Sequence, residues 1–321
     1  MENSDFLAWT DEDYATYGRK PWLAKHSLHE APMFTKESLI DLLDNFPRNE
    51  LQSFTMGHDI TNPSDWATVD TGNATGAELW EAVNRGRIWL NLLWVERFDK
   101  RYQSLLDGMY GPLSSNVPQL SEYEEPHLTL LISSPNALVY YHFDAEDNML
   151  WHVRGEKSIW VYPRTNLDLA PPTTVEDIFS RSRSEELPFK TEYDETATRF
   201  DLKPGDVASW PHNSPHRIKN SDSMNVSLST SVETPASRRR SLVHSANRWL
   251  RNNMNFSDLS AREYGAVPAS KMFMYRAVKR LGGVPKPPGI DYVATYQIDA
   301  SSENGLRKLD KPVRTAFSKA S

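Results

Sequence analysis

From about residue 125 the chain breaks into short runs of alternating apolar and polar residues. They are HLTLLISS (127–134), ALVYYHF (137–143), NMLWHVR (148–154), KSIWVYP (157–163), TRFDLK (198–203), DVASWP (206–211) and NVSLSTSV (225–232). Period-two patterning gives each run one buried face, and many short strands split by turns suit a jelly roll. The expected fold is mainly β with helical flanks, built on a double-stranded β-helix barrel. The expected division is a helical and irregular flank over 1–120, the barrel over 121–235, and a helical region with a tail over 236–321. The charged, proline-containing stretch 164–198 reads as an insertion at the barrel mouth, either a lid or a connector.

The flanks carry helical periodicity. KESLIDLLDNF (36–46) is amphipathic with Thr35 as its N-cap, GAELWEAVNRG (76–86) is a second helix, and DKRYQSLLDGMYGPL (99–113) is a third that Gly111-Pro112 should end. RIWLNLLWV (87–95) reads as a strand. Residues 1–35 look irregular, with Trp9, Tyr14, Tyr17 and Trp22 available to clamp onto a core. After Pro235, residues 236–254 place Leu242, Val243, Ala246, Trp249 and Leu250 on one stripe. PASKMFMYRAVKRLGG (268–283) starts with proline and stops at Gly-Gly. Residues 284–321 read as a partly ordered tail.

Within the barrel region, His142-Phe143-Asp144 is an H-x-D triplet. In a strand, residues i and i+2 share a face, so His142 and Asp144 point inward together while Phe143 packs outward. A third ligand from another strand completes a 2-His-1-carboxylate face, the arrangement of non-haem Fe(II) oxygenases. Downstream, Pro204-Gly205-Asp206 reads as a turn and VASWP (207–211) as a short strand. His216 is the favoured third ligand because it can lie on the next strand; His212, just after Pro211, is the alternative.

These residues resemble the JmjC/cupin-type 2-oxoglutarate oxygenases, and within them the hydroxylase branch that includes the asparaginyl hydroxylase of hypoxia-inducible factor. The likeness covers about residues 125–232. It rests on H-x-D at 142–144, Asn148, Lys157 within Gly155-Glu156-Lys157, and P-G-D followed by Pro211 and His216. The resemblance implies iron(II) on His142, Asp144 and His216. It implies 2-oxoglutarate held by Lys157 at its C5 carboxylate and by Asn148 near its C1 end. Two positions depart from the pattern: Val139 stands where relatives have a threonine and Ser231 where they have an asparagine. Alternation aims Ser227, Ser229 and Ser231 to one side, so small hydroxyls line the pocket and Ser231 joins the cosubstrate contacts. His152, where relatives often carry glutamine, reads as a packing or hydrogen-bonded residue.

Composition narrows the remaining choices. There is no cysteine, hence no disulfide and no thiolate metal site. No apolar run is long enough to span a bilayer, and the acidic N-terminus has no signal-peptide core; both fit the cytoplasm. Residues 236–321 hold 16 Lys/Arg against 6 Asp/Glu in a chain of net charge −7. A basic C-terminal region beside an acidic barrel suggests a homodimer through the C-terminal helices. A sequence pI near 5.8 argues against generic nucleic-acid binding. The expected activity is C–H hydroxylation of a peptide side chain, amino acid or small metabolite. The alternatives are a metal-dependent cupin enzyme that does not use 2-oxoglutarate, and a regulatory DNA-binding protein with a cupin sensor barrel.

Overall fold

The computed structural model describes residues 6–166, 168–286 and 291–319. Strands β1 (Trp22–Lys25), β2 (Leu51–Thr55), β3 (Ala67–Asp70) and β4 (Ile88–Leu92) come from the N-terminal flank. The barrel region supplies β5 (Glu124–Ser133), β6 (Leu138–His142), β7 (Asp147–Arg154), β8 (Lys157–Val161), β9 (Thr198–Leu202), β10 (Asp206–Ser209), β11 (His216–Asn220) and β12 (Asn225–Glu233). The C-terminal region adds β13 (Val293–Ile298) and β14 (Leu306–Arg314). The helices are α1 (Asp11–Thr16), α2 (Lys36–Asn45), α3 (Gly76–Arg85), α4 (Lys100–Asn116), α5 (Pro172–Phe179), α6 (Pro235–Met254) and α7 (Ala266–Arg280). None of the described helices is long and apolar enough to cross a membrane.

Among the described residues the strands form two sheets, a ten-stranded one in the order β1-β10-β7-β12-β5-β4-β2-β3-β13-β14 and a four-stranded one in the order β6-β11-β8-β9. The sheets face each other as the expected double-stranded β-helix. Leu150 and Ala208 from the large sheet meet Ile159, Val161, Leu202 and Ile218 from the small one, with Trp210 among them. The other face of the large sheet is covered by the N-terminal flank. There Leu128, Leu130, Trp151 and Leu228 pack with Leu39 and Leu43 of α2, Leu79 of α3 and Met109 of α4. Burying such a side chain contributes about 1.5–3 kcal/mol, so the flank is part of the same core.

Several local expectations are met. Thr35 caps α2 by accepting from the Ser38 amide at 3.3 Å. Trp9 packs edge-on to Trp22 at 4.7 Å and stacks on Trp151 at 6.0 Å, clamping the N-terminal segment to the sheet. Phe143 is fully buried in a cluster with Tyr141, Tyr162, Val175 and Ile178 beneath the insertion. That insertion holds α5 and packs as a wall of the barrel: Glu186 bridges to His142, and the Leu187 amide donates to the Tyr141 carbonyl at 2.8 Å.

Three expectations are corrected. Gly111-Pro112 does not end α4, which runs on to Asn116. Proline costs the helix one hydrogen bond, and the buried Tyr110 and Leu113 hold both sides of it against the core. Residues 1–35 are not all irregular: β1 pairs antiparallel with β10 at the sheet edge. The tail is not merely appended, since β13 pairs parallel with β3 and β14 pairs with β13; its residues 287–290, 320 and 321 lie outside the described ones. Of the apolar stripe on α6, Val243, Ala246 and Leu250 are buried while Leu242 and Trp249 are half-buried, with Trp249 donating to the Gly283 carbonyl and α5 and α7 packed alongside.

Candidate metal centre

His142 ends β6 and His216 begins β11, and the two are register partners across the antiparallel pair. Asp144 follows two residues after His142, on the same side. The three offer ligand atoms that all lie within 4.8 Å of one another. Nε2 of His142 is 3.8 Å from Asp144 Oδ1, and Nε2 of His216 is 3.5 Å from Oδ2.

The remaining ring nitrogens are engaged. Nδ1 of His142 donates to the Tyr140 carbonyl at 2.8 Å, and Nδ1 of His216 to that of Ser214 at 3.2 Å. A carbonyl only accepts, so each imidazole carries its proton on Nδ1 and leaves the Nε2 lone pair facing its neighbours, the tautomer a metal needs. Burial, then the nearby His142, holds His216 well below the usual imidazole range, favouring the neutral ligand form. Burial also raises the Asp144 carboxyl, with His142 opposing. Trp210 packs 4.5 Å from the His216 ring.

His212 takes another role. Its Nε2 donates to the Ala145 carbonyl at 2.8 Å, away from the three converging donors. Sequence reasoning missed the next layer. Asn213, in the left-handed region at φ 59°, donates to the Asp144 carbonyl at 2.6 Å and accepts from Arg240 of α6 at 2.7 Å. Only the tertiary fold brings α6 here, so no local pattern could have found it. Glu185 of the insertion was also missed. The residue is exposed; desolvation and then the like charges of Asp144, Glu186 and Glu146 raise its carboxyl.

Lys157 opens β8 after a turn at Gly155, whose φ of 80° no L side chain adopts comfortably. Alternation puts Lys157 on the same inner face as Ile159 and Val161. It is 5% exposed, has no ion-pair partner among the described residues, and burial lowers its ammonium from 10.5 to about 7. On the facing sheet Asn148 of β7 lies opposite Ser231 of β12 and donates to Ser229 Oγ at 2.9 Å and Ser231 Oγ at 3.1 Å. His152 is fully buried, bonded to Ser227 Oγ at 3.0 Å and the Gly155 carbonyl at 2.8 Å. It supports the turn that carries Lys157.

No known protein family matches this sequence, and no curated protein is similar to it in sequence. Solved structures are similar in fold. The crystal structure of E. coli YcfD aligns over 87% of this chain and 69% of its own, at 15% identity and a TM-score of 0.50. YcfD described as a ribosomal oxygenase from E. coli, in complex with cobalt and 2-oxoglutarate, aligns over 88% and 68% at 14% identity and a TM-score of 0.48. At such identities the likeness is one of fold: this chain has the JmjC/cupin-like fold that YcfD has.

Proposed function

We propose that the chain is an Fe(II)- and 2-oxoglutarate-dependent oxygenase that hydroxylates a C–H bond of a peptide side chain, amino acid or small metabolite. One observation carries the reading. Two imidazoles and a carboxylate converge in the barrel, and a buried lysine without a carboxylate partner among the described residues lies on the inner wall of the same barrel. The donor set fits an octahedral ion with one face left open. Iron held by His142, Asp144 and His216 would, with 2-oxoglutarate and dioxygen, supply the oxidising power for hydroxylation, with succinate and carbon dioxide as the by-products.

The chain's own residues then have distinct tasks. The Tyr140 and Ser214 carbonyls aim the two imidazoles, and Asn213 fixes the backbone of Asp144. Val161 is level with His216 on the neighbouring strand, and Lys157 lies four residues before it. That separation is about 13 Å along the strand, a distance the lysine stem and a five-carbon diacid span together. Lys157 pairs with the C5 carboxylate, and Val139, in place of a threonine, leaves it as the main anchor. Asn148 acts through Ser231: both amide hydrogens go to serine oxygens, so the Ser231 hydroxyl keeps its own hydrogen for the cosubstrate.

The partner we propose besides the substrate is a second copy of the chain, meeting through the C-terminal helices. With most of the α6 stripe packed within the chain, the apolar side chains exposed on and beside α7 include Tyr264, Val267, Phe273 and Leu281. Sedimentation of Phe273→Asp should give monomers where the wild type gives dimers. A monomeric wild type at high concentration rejects the interface.

Titration of 2-oxoglutarate into anaerobic, iron-loaded protein tests the enzyme reading, followed by a screen of peptides and amino acids for a product one oxygen atom heavier. Iron binding without 2-oxoglutarate binding would favour a metal-dependent cupin of another chemistry.

A further inference from the structure

The small sheet has an outer face that the proposed reaction does not use. Ile159, Val161 and Ile218 point into the barrel, so alternation turns Ser158, Trp160, Arg217 and Lys219 outward. Two adjoining cavities of about 710 and 430 Å³ lie on this side and share His58, Leu138 and Lys219. The smaller is lined by Arg85, Arg87, His58 and Lys219 with no carboxylate. The larger adds Lys203, Arg199 and Arg217 against Glu156 and Asp201, and Lys157 at the start of β8 also borders it.

Ion pairing removes some of this charge. Arg217 pairs with Asp194 at 2.5 Å, Arg199 with Asp201 at 2.8 Å, and Arg85 with Glu81 at 3.6 Å. Besides the buried Lys157, three cations of the lining have no ion-pair partner among the described residues. Arg87 donates to the backbone carbonyls of Met56, Gly57 and Asn136. Lys203 and Lys219 are exposed, with no ion-pair partner among the described residues.

These three form a row across the strands. Lys219 is level with Leu138 of β6 and Ser158 of β8, Lys203 follows Leu202 at the same end of β9, and Arg87 anchors the loop before β6. At about 4.8 Å per strand the row runs for about 15 Å or more. Beside it the exposed Arg199 guanidinium lies 5.0 Å from the centre of the half-buried Trp160 ring, which the buried Arg217 backs at 3.6 Å.

We infer that this groove binds single-stranded nucleic acid, with phosphates on Lys203, Lys219 and Arg87 and bases against Arg199 and the open part of the Trp160 indole. A row of cations beside stacked planar groups is the composition of single-strand-binding surfaces. An acidic peptide would use the cations and leave the stack idle. The low pI of the whole chain does not oppose this, because binding responds to the local field of the groove. The groove also leaves the metal donors free, since His216 and its neighbour Arg217 point to opposite faces of β11.

Fluorescence anisotropy with a labelled oligouridine strand and the full-length protein tests the inference. Binding should be measurable at about 50 mM salt and fall steeply with added salt. Lys203→Glu/Lys219→Glu should weaken it about tenfold or more and flatten the log–log salt slope by about 1.4, at about 0.7 per lost phosphate contact. Iron and 2-oxoglutarate affinities should stay unchanged in that variant, which shows that it is folded. No binding by the wild type, equal binding by wild type and variant, or equal displacement by polyglutamate would overturn the inference.

Discussion

His142 and His216 stand opposite each other across β6 and β11, ring centroids 4.2 Å apart, each with Nδ1 tied to the carbonyl two residues before it. Two distant stretches of chain thus build the same local device, and Asp144 sits against both. His142→Ala, Asp144→Ala and His216→Ala should each abolish Fe(II) binding while circular dichroism stays that of the wild type. His212→Ala should keep its iron, because that ring serves the Ala145 carbonyl. Anaerobic calorimetry checks this, and loss of iron only in the His212 variant would move the third ligand.

Lys157→Ala should separate cosubstrate from metal. Removing one partner of a desolvated ion pair costs about 2–5 kcal/mol, which is about 30-fold or more in 2-oxoglutarate affinity. Iron affinity should barely change. Lys157→Arg should recover part of the loss, since the charge survives on a longer, planar group. Equal 2-oxoglutarate affinities in wild type and Ala variant would place the cation elsewhere.

Acidity gives the same lysine a second signature. In the folded chain burial lowers its ammonium from 10.5 to about 7. Between those values the unfolded chain binds more protons than the folded one, so the contribution of Lys157 to stability is full above 10.5 and is lost as pH falls to about 7. Cosubstrate affinity runs the other way, because the C5 carboxylate needs the charged form. It should be flat below pH 7 and fall about tenfold per unit above it, with a proton taken up on binding. Calorimetry in buffers of different ionisation enthalpy reads that proton. Lys157→Met should bind weakly and take up none.

Gly155→Ala tests the turn that delivers Lys157. A Cβ there would lie 2.5 Å from the Met224 carbonyl oxygen and 2.8 Å from Asn225 Cγ, at a φ of 80°. Stability to urea should drop by about 1–3 kcal/mol, with weaker 2-oxoglutarate binding in the fraction that folds. A variant as stable as wild type would show that the turn relaxes freely.

Much of the barrel was legible because its signals are local. Period-two patterning set the strands from HLTLLISS to NVSLSTSV, the i, i+2 rule put His142 and Asp144 on one face, and P-G-D marked the turn before β10. What escaped was decided by partners far away in sequence. Pro112 reads as a helix stop until Tyr110 and Leu113 are seen buried on either side of it. The α6 stripe shows no partner in sequence, and only the fold lays α5 and α7 beside it. Asn213 and Arg240 carry no signal at all, since only the packing of α6 on the barrel brings them to Asp144. Ala294 is fully buried in β13, yet VATYQI is too short and mixed to claim a place in the sheet on its own.

That strand has a consequence for how the molecule behaves in a crowd. A sheet edge offers unpaired amides and carbonyls to any passing chain. Here β13 lies on β3, and β14 takes the edge of the ten-stranded sheet with Arg307, Lys308, Asp310, Lys311, Pro312 and Arg314 along it. Charge and proline discourage a further strand from joining there. The C-terminal hairpin is therefore a guard against aggregation: without it the bare edge of β3, next to the fully buried Val69, would be left to recruit neighbours.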